Sequence, residues 1–165
     1  METDPSPAPR RTWFAPAMAL LPATAAVGAV LYPGMADPVP VHWNGAGEPD
    51  RFAEKSLPAV FSPLIIGAGV VGFLRLLHRA LPAMAAKGAQ GDPARAELEV
   101  RAGKEVLAAL ISALAVLFSW LCLTGWLGFT SAWTIWPPVV LLLVFTLWLV
   151  VRAIRTVSVP PAGPR

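Results

Sequence analysis

The chain has 165 residues, 56% of them hydrophobic and 14% charged, with a mean hydropathy of +0.60. A soluble domain carries roughly 25% charged residues, so the composition excludes an ordinary soluble fold and points to apolar runs that cross a bilayer. The net charge is +3, and the single cysteine, Cys122, excludes an intrachain disulfide and a cysteine-based metal site. Cys122 lies inside an apolar run and reads as a small buried or lipid-facing residue.

Residues 1–11 are proline-rich and polar, end in Arg10-Arg11, and read as a disordered cytoplasmic tail. Trp13 to Tyr32 contains no Asp, Glu, Lys, Arg or His. Twenty helical residues span about 30 Å, the thickness of a hydrocarbon core, and Trp13 and Tyr32 stand at its ends, where amphipathic aromatics prefer the headgroup level. Pro22 inside it predicts a kink. A cleaved signal peptide is the rival reading, with Arg10-Arg11 as its charged region and Ala23-Thr24-Ala25 as its cleavage site. The apolar run continues to Leu31, longer than such a signal needs, and favours a retained span.

Residues 33–57 form a Pro/Gly-rich polar loop. Pro33, Pro38 and Pro40 push their neighbours towards extended backbone, so Asp37 to Trp43 is expected to be extended or polyproline-like. Asn44-Gly45-Ala46-Gly47 is turn chemistry, and Glu48-Pro49-Asp50 adds a second rigid corner. A segment this short cannot build a core of its own and must lean on the bilayer surface or the helix ends.

Leu57 to Leu74 is a second span, with Pro58 suited to a helix start and Pro63 to a kink, closed by Arg75, His78 and Arg79. Residues 77–105 form a basic cytoplasmic loop with a flexible stretch at Lys87 to Gly91. Asp92-Pro93 opens a polar helix there that runs into the next span and loosens at Gly103. Val106 to Val151 holds no ionisable residue over 46 positions, too many for one span. The break falls at Thr130 to Pro138, giving a third span over Val106–Phe129 and a fourth over Trp136–Val151. Trp126, Trp133 and Trp136 form an interface belt at that break, and a proline-rich tail occupies 153–165. Trp120, near the middle of the third span, is expected to pack between helices.

The chain therefore reads as an all-α integral membrane protein of four transmembrane helices. One side carries eleven Lys and Arg, the other only Arg51 and Lys55. The positive-inside rule then places both termini and the 77–105 loop in the cytoplasm and the 33–57 loop outside, in a multi-pass protein of the cell membrane. The positive charge thereby needs no nucleic-acid partner. Spans free of ionisable residues argue against a proton-coupled transporter or ion pump. Small pairs at Ala25/Ala29, Ala68/Gly72 and Ala109/Ala113 permit close helix packing.

The outer loop admits several uses. His42 with Glu48 or Asp50 offers a metal-ligand set of low specificity, and His42 as a general base lacks a neighbouring Ser or Cys nucleophile. A hydrogen-bonded cap is the plainer reading, in which His42, Asn44 and Asp50 satisfy the loop backbone and Lys55 or Arg51 pairs with a carboxylate. Trp43 beside polar groups also makes an anchor for an extracellular ligand. No catalytic residue, metal or cofactor is expected.

Tyr32-Pro33, Asp37-Pro38-Val39-Pro40-Val41-His42-Trp43-Asn44, Gly47-Glu48-Pro49-Asp50, Lys55 and Pro63 together resemble the short domain of unknown function near the N-terminus of SdpI-type bacterial membrane proteins. The pattern there runs Leu-Pro-x-x-Ile-Pro-x-His-Trp/Phe-Asn, Gly-x-x-Asp, a Lys, then a Pro in the next span, and it lies between the first two spans. The resemblance covers about residues 15–65. SdpI has more than four spans, and no motif matches the second half of the chain. The resemblance implies immunity against, or sensing of, a secreted envelope-active peptide, with a cytoplasmic regulator as a further partner. The candidate ligand-binding residues are His42, Trp43, Asn44, Glu48, Asp50 and Lys55. The competing expectations are a structural subunit of a membrane complex and a metal-dependent membrane enzyme using the outer loop.

Overall fold

The computed structural model describes residues 14–88 and 93–158. Helix α1 covers Ala15–Leu31 and tightens into a single 3-10 turn over Tyr32–Gly34. A β-hairpin follows, β1 over Val39–Trp43 and β2 over Pro49–Ala53. Three long helices complete the chain: α2 (Leu57–Gly88), α3 (Pro93–Trp126) and α4 (Ala132–Ser158). These three are long and apolar enough to cross a membrane, whereas α1 is shorter.

The expectation of an all-α chain is corrected at the loop, which is a two-stranded antiparallel sheet. The extended backbone that the prolines dictate supplies the first strand, and the turn residues fold the second against it. The pairing runs Val39 with Ala53, Pro40 with Phe52, His42 with Arg51 and Trp43 with Pro49. Val41 is therefore an extra residue on β1 and Asp50 one on β2, and the two bulges cancel. The Asp37-Pro38 peptide is cis.

Helix α3 is the hub, touching α1, α2 and α4. Ala17, Leu21, Leu64, Val71, Ile111, Ala115 and Cys122 form the buried core where α1, α2 and α3 meet. Close approach there depends on absent side chains. A Cβ on Gly28 would lie 2.6 Å from Trp126 and 2.7 Å from Phe61, and one on Gly67 would lie 2.5 Å from Phe118. Helix α4 packs mainly on α3, and of its residues only Leu149 is buried.

Helix ends differ from the sequence expectation where capping outweighs composition. Helix α2 runs on to Gly88 and α3 is continuous through Gly103, so the basic 77–105 segment is mostly the protruding ends of two helices. Gly103 is a contact point, with Leu81 Cδ2 2.9 Å from where its Cβ would be. Helix α4 starts at Ala132, earlier than the expected Trp136, because Ser131 caps it: the Thr134 amide donates to Ser131 Oγ (3.3 Å) and the Ile135 amide to the Ser131 carbonyl (3.1 Å). It also continues to Ser158, past the expected end of the span at Val151, with Arg155 in the last turn. Residues 1–11, Trp13, Asp92 and the tail from 159 lie outside the described residues.

The prolines inside the helices leave carbonyls without a backbone donor. Among the described residues, two of these find side-chain donors. Pro63 frees the Ala59 carbonyl, which accepts from Ser62 Oγ at 3.1 Å. Pro138 frees the Thr134 carbonyl, which accepts from the Trp120 indole at 3.0 Å. Trp120 thus ties α3 to α4.

Candidate functional site

The hairpin turn is built around Asn44. Its Oδ1 accepts from the amides of Ala46 (2.9 Å) and Glu48 (3.0 Å), and its Nδ2 donates to Glu48 Oε2 at 3.2 Å. Its backbone closes the turn, donating to the Glu48 carbonyl and accepting from the Gly47 amide, both at 2.9 Å. Gly47 adopts φ +80°, and a Cβ there would lie 2.3 Å from the Ser131 carbonyl carbon. Glycine is required twice over, for backbone conformation and for contact with the α3–α4 turn. The Trp136 indole then donates to the Gly45 carbonyl at 2.8 Å, locking hairpin to helix. The expectation that this segment leans on helix ends holds.

His42 and Asp50 face away from the helices as an exposed pair, Nδ1 to Oδ1 at 2.5 Å. The bulge at Asp50 brings them together, since the strand register sets His42 opposite Arg51. The hydrogen bond from His42 holds the Asp50 carboxyl below its ordinary value of 3.8. The charges of His42 and Arg51 act in the same direction, and desolvation opposes them.

Lys55 closes the base of the hairpin. Its Nζ donates to the carbonyls of Met35 (3.0 Å) and Pro33 (3.4 Å) and lies 5.6 Å from the Tyr32 ring centroid. Its amide donates to Asp37 Oδ1 at 3.1 Å. The Lys55 side chain therefore binds carbonyls and a ring, whereas the expectation was that Lys55 or Arg51 pairs with a carboxylate. The six candidate residues do not converge on one point. Asn44 and Glu48 hold the turn, His42 and Asp50 form an outward pair, Lys55 clamps the base, and Trp43 points inward.

Trp43 leads to a feature that the sequence did not signpost. Beneath the hairpin lies a partly open cavity of about 190 Å³, mostly apolar, between β1, the first turns of α2 and the last turns of α3. Val39, Trp43, Val60, Pro63, Cys122 and Trp126 are among its walls. The Trp43 ring lies 3.6 Å from where a Gly125 Cβ would stand, so glycine there keeps space for it. The Trp43 indole nitrogen is buried and has no hydrogen-bond partner among the described residues. A buried donor left unpaired costs about 1–3 kcal/mol unless something accepts from it. Trp43 is thus half-buried rather than an exposed anchor. The expected tryptophan belt is also modified. Trp126 donates to the Val60 carbonyl at 3.0 Å and Trp136 to Gly45, whereas Trp133 is 88% exposed.

Among the described residues, no group of three His, Cys, Asp or Glu side chains is arranged to hold a metal ion. Among the described residues, the arrangement is a hairpin cap over a mostly apolar cavity with the unpartnered Trp43 indole on its wall.

Residues 19–67 match the family described as a domain of unknown function (DUF1648). The matched stretch runs from α1 through the hairpin into α2 and contains all six candidate residues. No curated protein and no solved structure matches the chain.

Proposed function

We propose that this protein is a membrane-anchored recognition protein whose hairpin faces outward and receives an envelope-active peptide, in the manner of SdpI-type immunity or sensing. The observation that carries this reading is the cavity under the hairpin with the unpaired Trp43 indole on its wall. About 190 Å³ suits one large apolar side chain, given that a cavity of about 150 Å³ takes benzene. A carbonyl on the same ligand would accept from the indole. In this reading α1 with its 3-10 extension, about 31 Å long, completes a four-span bundle with both termini in the cytoplasm. The charge asymmetry along the sequence supports that orientation.

The test is growth of a sensitive host challenged with a panel of envelope-active peptides, expressing the wild type or Trp43→Ala at matched membrane levels. Protection by the wild type and its loss in Trp43→Ala is the expected result. Equal protection by both removes the cavity from recognition, and no protection by either removes the immunity reading. A second reading, a structural subunit of a membrane complex, rests on α4, whose apolar surface is almost wholly exposed. Stoichiometric co-purification of another membrane protein would favour it.

A further inference from the structure

The end of the helical body opposite the hairpin holds cations that no carboxylate among the described residues neutralises. Arg75 and His78 stand one turn apart on α2, and Lys104 lies across from them on α3; all three are half-buried. The close approach of α3 to α2 at Gly103 and Leu81 sets Lys104 there. Phe14, at the foot of α1, forms a further wall. Its ring meets His78 edge-on with centroids 4.8 Å apart and lies 5.1 Å from the Arg75 guanidinium carbon. Burial, and after it the charges of Lys104 and Arg75, lower the His78 pKa and favour its neutral imidazole beside the two cations. The ion pairs on this side, Arg95 with Glu99 and Arg101 with Glu105, use other cations.

Two half-buried cations that both act on one imidazole are partly desolvated, which is unfavourable without an anion. Their depth names the anion. Arg75 directly follows the apolar run ending at Leu74, and Lys104 precedes the one beginning at Val106. Both therefore sit where acyl chains give way to headgroups. The anion abundant at that level is a lipid phosphate. Ala68 and Gly72 lie on the same face of α2 as Arg75, and both are exposed. A Cβ on Gly72 would meet nothing within 4 Å. The small side chains leave this face open on the approach to Arg75, where an acyl chain can lie.

We propose that Arg75, His78 and Lys104, walled by Phe14, form a binding site for the phosphate of an anionic phospholipid. The guanidinium supplies paired donors to phosphate oxygens, the ammonium a compact charge, and the imidazole a further donor. Among the described residues, exposed Arg79, Arg152 and Arg155 add to the attraction without shaping the site. Nothing in this proposal depends on the function of the hairpin.

The test uses the full chain exchanged into an equal mixture of phosphatidylglycerol and phosphatidylcholine with matched acyl chains, with retained lipid counted by native mass spectrometry. The wild type is expected to retain phosphatidylglycerol roughly tenfold or more over phosphatidylcholine. Arg75→Gln/Lys104→Gln is expected to bring the ratio close to one. Arg95→Gln/Arg101→Gln removes the same charge outside the site and keeps the preference. The charge-preserving Arg75→Lys/Lys104→Arg keeps it too, and guards against misfolding of the glutamine variant. Equal retention of the two lipids by the wild type, or an equal fall in the two glutamine variants, overturns the proposal. So does displacement of the bound lipid by millimolar glycerophosphate, which would make the site one for soluble phosphate.

Discussion

At the residue scale, the His42–Asp50 pair defines how the hairpin responds to acid. Its carboxyl titrates lower in the folded chain than in the unfolded one. The contribution of the pair is therefore complete above the ordinary carboxyl value and lost as pH falls through the folded value. Both side chains are exposed, at 47% and 41%, so the effect is local and salt-sensitive rather than global. Amide exchange across β1 and β2 should accelerate, relative to the intrinsic rate, as pH drops below 3.8, and Asp50→Asn should abolish that step. An acid step of the same size in Asp50→Asn would take the response away from this pair. Turn chemistry at Asn44 was readable from sequence, because Asn and Gly signal turns by their own local preferences. The inward turn of Trp43 was not, since which strand face meets the helices is set by pairing and bulges.

At the element scale, contacts between the hairpin and the α3–α4 turn hold the cap in place. Gly47→Ala should disrupt them, because a left-handed φ costs a non-glycine residue about 1–2 kcal/mol and the new methyl meets the Ser131 backbone. Proton exchange at the Trp136 indole, bonded to Gly45, should then accelerate. The Trp126 indole, bonded to Val60, should keep its protection. Unchanged exchange at Trp136 would mean the hairpin is held from elsewhere. The Trp120 bond to Thr134 makes a second case. Trp120→Phe should cost about 1–2 kcal/mol in the native background and clearly less in Pro138→Ala, where Thr134 regains a backbone donor. Equal costs in both backgrounds, from thermal unfolding in detergent, would contradict this. The apolar runs gave the long helices legibly, because burial in lipid demands continuous hydrophobicity. Their ends were less legible. Ser131 starts α4 through its hydroxyl, and α2 passes Arg75 without breaking because charged residues are sound helix formers.

At the scale of the whole molecule, two chemically different ends sit on one apolar body. One end carries the hairpin, its cavity and a mixed set of charges held in hydrogen bonds. The other carries half-buried Arg75 and Lys104 with exposed Arg79, Arg152 and Arg155 around them. Between them α2, α3 and α4 present long exposed apolar faces, among them Ile65, Phe73, Leu141 and Leu147. In water such faces would aggregate, and in a bilayer they are solvated by lipid. Both ends are legible in the sequence from charge and composition. The cavity between hairpin and helices is not, because its walls come from residues as far apart as Met35 and Gly128. The proposed recognition requires the hairpin to be reachable from outside the cell. The most direct measurement is labelling of Ala46→Cys, in a Cys122→Ala background, by a membrane-impermeant maleimide on intact spheroplasts, with Thr156→Cys as the opposite-side reporter. Position 46 should label at once and position 156 only after permeabilisation. The reverse order would put the hairpin in the cytoplasm and contradict the account.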